Sequence, residues 1–295
     1  MNIKWMKFRP VYFLISGIVI IIGIYSLLTW GLPLGVDFKG GSIVEYRFEA
    51  QVSGEELSGE VEKLDVEVQS VVDTGEGTRL LRLGTIDKAK KDEISGKVSE
   101  LAQGKLTELR FENVGPTVGP ELVKKTLIAL AISAGSILLW VAYQFKSIKF
   151  GISAVLAMIH DSFVLIGLFT LFGHLFGAEI DFLFVTALLT ILSFSVHDTI
   201  VVYDRIREIR KKHGGEIKDI ADKAVNETMR RSINNSVTII IMLLSLVIFG
   251  GTTVKWFAVA LLIGTISGTY SSPFVAVPLL VTWDEVAKKI NLRKK

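Results

Sequence analysis

Two histidine–aspartate pairs, His160-Asp161 and His197-Asp198, each lie inside a long apolar run. A carboxylate deep in a bilayer costs about 2.5 to 3.5 kcal/mol on insertion scales, so such a group faces the interior of a helix bundle and is paired, hydrated or protonated. At a rise of about 1.5 Å per residue, Asp161 lies near the centre of its run and Asp198 about five residues from the inner end of its own. Ser195 precedes Asp198 on the same helical face, and Thr190 and Ala187 extend that stripe. A polar stripe of this kind suits a hydrated path better than lipid contact. Arg231, at the edge of the next run, is the natural counter-ion. An arginine there can simply snorkel to the headgroups, but Asn234, Asn235, Ser236 and Thr238 follow directly, which favours packing in protein. An Asp198–Arg231 pair stays ionised at rest, and protonating Asp198 breaks it, giving a two-state element sensitive to protons.

These side chains need a membrane bundle to position them. Of 295 residues 50% are hydrophobic and 21% charged, and the mean hydropathy of +0.48 excludes an ordinary soluble enzyme. Six apolar runs occur, at 11–30, 127–143, 150–172, 180–203, 233–249 and 256–283, the last long enough to tilt or to break near Pro273 and Pro278. The first follows Lys4, Lys7 and Arg9 but lacks a small-residue cleavage site, so it reads as a retained anchor. With the N-terminus cytoplasmic, the inner side receives Lys4, Lys7, Arg9, Lys146, Lys149, a basic loop over 204–231, and Lys288 to Lys295, whereas the short outer loops receive only Lys255. Both termini are therefore expected inside. The net charge of +3 is accounted for by this topology, and no nucleic-acid partner is called for. Cysteine is absent, which removes disulfides and thiolate metal sites.

The division that follows is residues 1–30 for the N-terminus and first span, 31–121 for an extracytoplasmic domain, 122–283 for spans two to six, and 284–295 for a cytoplasmic tail. Within 31–121 the alternation at 42–48 reads as a strand, and 53–64 as a helix opened by a Ser53/Glu56 capping box. Residues 66–72 and 79–83 flank Thr74-Gly75-Glu76-Gly77 as a hairpin, 87–103 reads as a helix and 107–114 as a last strand. The order β-α-β-β-α-β is the ferredoxin-like arrangement, which makes the chain a polytopic α-helical membrane protein with one α+β domain. That domain carries no catalytic cluster. Two glycine-rich loops frame it: Gly35 to Gly41, with Asp37 and Gly40, and Val114 to Glu121, with Gly115, Pro116 and Gly119. They serve as tight junctions, as hinges, or as both.

Asp204, Arg205, Arg207 and Glu208 continue the fourth helix into the cytoplasm, with Glu208 spaced for intrahelical pairs to Asp204 and Lys212. Gly264 and Gly268 form a Gly-x-x-x-Gly surface for close helix contact. No Walker-type loop occurs, and no cofactor is expected, so work must come from an ion gradient or a partner.

Three stretches carry a resemblance to the SecF branch of the SecD/SecF family of protein-export membrane subunits: Gly35 to Gly41 (Gly-x-Asp-Phe-x-Gly-Gly), Val114 to Glu121, and Ser195 to Glu208. The resemblance implies half of a resistance-nodulation-division-like transporter that pairs with SecD beside the Sec translocation channel. Such a pair uses the proton-motive force to promote late steps in the export of unfolded polypeptide. It further implies Asp198 and Arg231 as the proton relay, with His197 and Asp161 as accompanying positions. Two other functions fit the buried charges or the topology: half of a proton-driven small-molecule antiporter, and a structural scaffold for membrane insertion.

Overall fold

The computed structural model describes residues 3–49, 52–75, 77–103, 106–115 and 118–293. Glu76 of the expected hairpin, Pro116 of the second glycine loop, and Lys294 and Lys295 of the tail lie outside the described residues. The chain forms two compact units, Leu34–Leu127 and the remainder, Met1–Pro33 with Ile128–Lys295.

A 3-10 turn (Trp5–Phe8) leads into α1 (Arg9–Trp30). There follow α2 (Val36–Lys39), β1 (Gly41–Phe48), α3 (Gly54–Glu62), β2 (Val68–Gly75), β3 (Thr78–Leu83), α4 (Lys88–Leu101) and β4 (Leu106–Val114). The sheet runs β2-β3-β1-β4 and every neighbouring pair is antiparallel, which is the expected ferredoxin-like order. Both helices start where a side chain can satisfy a free amide. Ser53 Oγ accepts from the Glu56 amide at 3.1 Å, and Asp87 Oδ1 from the Lys90 amide at 2.8 Å. Val44, Tyr46, Leu81 and Leu83 of the sheet and Leu57, Val61, Ile94 and Val98 of the helices are fully buried against one another. Ser42 Oγ donates to Asn113 Oδ1 and accepts from the Ile86 amide, both at 3.1 Å, bracing the sheet end where the glycine loops arrive.

Those loops hold one turn more than the sequence suggested. Val36–Lys39 closes a single helical turn, with Val36 and Phe38 buried. Gly40 (φ 79°) and Gly41 (φ 134°) then enter β1 through backbone angles that side chains resist. Gly41 pairs with Val114, and Gly119 lies against the Phe38 backbone with no room for a Cβ, so the two motifs meet although some 75 residues separate them.

The remaining helices are α5 (Val118–Phe145), α6 (Ile148–Phe176), α7 (Phe182–His213), α8 (Ile217–Phe249), α9 (Thr252–Ser271) and, after a π turn at Ser272–Ala276, α10 (Val277–Arg293). With α1 they make, among the described residues, six segments long and apolar enough to cross a membrane. The expected break of the last span falls at Pro273, whose missing N–H the wider π turn accommodates, while Pro278 sits in the first turn of α10 and interrupts nothing. Residues 204–231, the basic connection between the fourth and fifth spans, continue the fourth helix as expected and go on as helix beyond it. Except for Gly214, Gly215 and Glu216 they are helical, because Ile217, Ile220, Ala221, Ala224 and Val225 form a buried stripe at helical spacing. The N-terminal turn is tied to that stripe. Met6 N donates to Asp222 Oδ1 at 2.7 Å, and Trp5 Nε1 to Asn226 Oδ1 at 3.1 Å.

Candidate intramembrane polar site

Asp161 (α6) is 0% exposed and Asp198 (α7) 5% exposed, so both predicted carboxylates lie inside the helical unit. Their surroundings differ in kind. Three hydroxyls donate to Asp161: Ser195 Oγ of α7 and Ser271 Oγ of α9 reach Oδ2, and Ser267 Oγ of α9 reaches Oδ1, each at 2.6 Å. His160 Nδ1 stands 3.1 Å from Oδ1, and its Nε2 is buried without a partner. Among the described residues Asp198 receives one hydroxyl, Ser232 Oγ of α8.

The partners of these carboxylates differ from those the spacing suggested. Ser195, placed on the Asp198 face by its spacing, turns its hydroxyl to Asp161. Helix spacing fixes which side chains are near one another on one helix, whereas the rotation of α7 against α6 and α9 decides what each meets. Arg231 makes no ion pair with Asp198 among the described residues. It is exposed, while its neighbour Ser232, about 100° further round α8, faces inward. His197 and Thr190 are exposed as well, Thr190 satisfying its hydroxyl on the Thr186 carbonyl at 2.8 Å, so the polar stripe of α7 is shorter than its spacing suggested.

Sequence reasoning missed the hydroxyls of the sixth span. Besides Ser267 and Ser271, Ser272 Oγ lies 2.9 Å from Thr199 Oγ1, and Thr269 Oγ1 lies 2.6 Å from Ser236 Oγ of α8. The signal was available, since five of the residues from 265 to 272 are Ser or Thr in an otherwise apolar span. What lets α9 come so close is the predicted glycine pair. A Cβ on Gly264 would run into the Ile191 side chain of α7, and one on Gly268 would stand 3.2 Å from Ser195 Cβ.

At its far end α7 carries the charged motif. Glu208 pairs with Lys212 at 2.7 Å as expected and with Arg205, which also reaches Glu227 on α8. Arg207 Nη1 donates to the Gln144 carbonyl of α5 at 3.0 Å. The pairing of Glu208 with Asp204 was never an attraction, both being acidic, and Asp204 is exposed.

A six-helix unit with buried carboxylates, joined to a ferredoxin-like α+β unit, defines a multi-pass membrane protein of the transport kind. Residues 94–286 match the family described as protein export membrane protein SecD/SecF, C-terminal, and residues 25–52 match the SecD/SecF GG motif. The chain belongs to the SecD/SecF family. It is 40% identical over 295 residues to protein translocase subunit SecF of Thermobaculum terrenum, covering 94% of this chain and 93% of that one. It is 31% identical to protein translocase subunit SecDF of Bacillus subtilis, covering 93% of this chain but only 37% of that one. A crystal structure of SecDF from Thermus, a translocon-associated membrane protein, superposes with a TM-score of 0.83 at 29% identity over 97% of this chain. The chain spans about two fifths of that solved protein. These relatives place the chain among the accessory subunits of Sec protein export in a bacterial membrane.

Proposed function

We propose that this chain, paired with SecD beside the Sec translocation channel, uses the proton-motive force to promote late steps of polypeptide export. Asp198 is the group that takes up and releases the proton. The observation carrying this reading is the Asp198 carboxylate itself, 5% exposed in a membrane-spanning helix and held by one serine hydroxyl, which leaves most of its acceptor positions free. Arg231, adjacent to Ser232 in α8, is the cation that competes with that hydroxyl when α8 turns or when SecD covers the face. One charge crossing 100 mV supplies about 2.3 kcal/mol, a bias of about fiftyfold. The lysine and arginine distribution supports both termini in the cytoplasm and the α+β unit on the outer side, where the translocating polypeptide emerges. Gly40, Gly41 and Gly119 then act as the junction that passes helix motion to that unit.

The test is export of a substrate polypeptide into vesicles holding the chain, SecD and the channel, with and without an imposed proton gradient. Asp198→Asn and Arg231→Met are expected to assemble normally and to lose the stimulation by the gradient. Wild-type stimulation in both variants refutes the relay.

A further inference from the structure

We infer that Asp161 is a fixed anion that locks the sixth span, not a second station for the proton. This rests on the reading of Asp198 as the proton carrier and divides the labour between the two carboxylates. An ionised carboxylate offers about four lone-pair sites. At Asp161 all four are engaged, by Ser195, Ser267, Ser271 and His160. A proton arriving there must displace one of them. Ser271 is the hydroxyl with another acceptor in reach, the Gly268 carbonyl, so protonation would exchange its 2.6 Å bond to a charge for a 3.3 Å bond to a carbonyl. At Asp198 one hydroxyl is bound among the described residues, at Oδ2, so a proton on Oδ1 displaces none of them.

The groups facing Asp161 agree. From α6 there is His160. From α9 there is Tyr270, whose ring centroid is 6.3 Å from that of His160 and whose hydroxyl donates to the Tyr12 carbonyl of α1. From α7 there is Ser195, with Asp198 turned instead to α8. No lysine or arginine pairs with Asp161 among the described residues, so hydroxyls and one imidazole carry its charge.

The lock has a position that matters. Ser267 and Ser271 both lie within the last five residues before the π turn at Ser272–Ala276, and Ser272 is itself tied to Thr199. α6, α7 and α9 are therefore pinned together at the one place where the sixth span is broken. α8 is held to them here by two hydroxyl contacts, Ser232 to Asp198 and Thr269 to Ser236. Proton-driven movement then occurs at α8 against a block that Asp161 keeps rigid.

Infrared difference spectroscopy of the complex with SecD in lipid, titrated between pH 5 and 8, reads protonated carboxyls directly. A pH-dependent protonated-carboxyl band that Asp198→Asn removes and Asp161→Asn or Ser271→Ala leaves in place is the expected result. A band removed by Asp161→Asn overturns the inference while leaving a proton site in the chain. A wild-type spectrum with no such band refutes the Asp198 reading instead, and the lock is then judged by hydrogen exchange. Losing a hydrogen bond to the charge should speed amide exchange across 264–277 by about tenfold or more in Ser267→Ala and Ser271→Ala, which are conservative enough to fold. Asp198→Asn should leave that segment within about twofold of wild type, because its bond to Ser232 lies elsewhere. Exchange in the serine variants no faster than in Asp198→Asn overturns the inference.

Discussion

Gly264→Ala tests the close contact on which the polar site depends. The added methyl would sit inside the space of Ile191 Cδ1, Cγ1 and Cγ2, in a region where Gly264 and Ile191 are both buried. Overpacking of that kind costs about 1 to 3 kcal/mol, so the folded-to-unfolded ratio at a fixed denaturant concentration should fall by about fivefold to about 150-fold. Ile191→Ala alone leaves a cavity and costs about 2 to 5 kcal/mol. In the double variant the new methyl occupies part of that cavity, so the two penalties should combine to less than their sum by at least about 1 kcal/mol. The Gly23–Gly167 crossing of α1 and α6 is the contrast. A Cβ at Gly23 would stand 2.9 Å from the Gly167 Cα, and no side chain can be trimmed to relieve a clash with backbone. Gly135 is the control, because a Cβ there meets nothing within 4 Å and alanine should be neutral or stabilising. The assay is denaturant unfolding of the detergent-solubilised chain. Additive penalties at Gly264 and Ile191, or a Gly264→Ala as harmless as Gly135→Ala, would refute the packing argument.

Burial holds the Tyr46 phenol above its ordinary pKa of 10.0, outweighing the bond to Ser95. A raised folded value means that the contribution is complete below about pH 10 and lost as pH climbs through the folded pKa. Tyr46→Phe should therefore flatten the alkaline loss of amide protection in the sheet, and an unchanged alkaline profile would count against it. Asn226→Ala removes the acceptor of Trp5 Nε1 and should make residues 3–8 exchange and be cleaved faster, by about fivefold or more for a bond worth about 1 kcal/mol. Arg205→Ala should barely change thermal stability, and any effect should vanish near 1 M salt, because the bridges to Glu227 and Glu208 are partly solvated. A large salt-independent loss would show that this side chain holds α7 to α8 by packing.

What could be read from the residues divides along a physical line. Ser53 announced the first helix of the α+β unit because a cap is a local bargain between one side chain and one amide. The alternation of residues 42–48 likewise set a strand whose pairing the two helices then constrained. Buried aspartates were legible through the cost of placing charge in lipid. Their partners were not. Ser195 and Arg231 stand at spacings that suit Asp198, yet the first turned to Asp161 and the second outward. The rotation of one helix about its axis is set by every ridge it packs against, and no local pattern encodes it. The helical stripe from Ile217 to Val225 was readable and was obscured by the charges interleaved with it.

The length of α7 has a mechanical consequence. Its 32 residues extend about 48 Å, against a hydrocarbon layer of about 30 Å. From Asp198 to the tip at His213 is about 22 Å of stiff rod, joined by Gly214 and Gly215 to an equally long return helix. Pivoting the return helix by only 5° about its Ser232–Asp198 contact would sweep its start at Ile217 through about 2 Å past that rod. A tilt pivoted on a single carboxyl group is thus carried out of the bilayer.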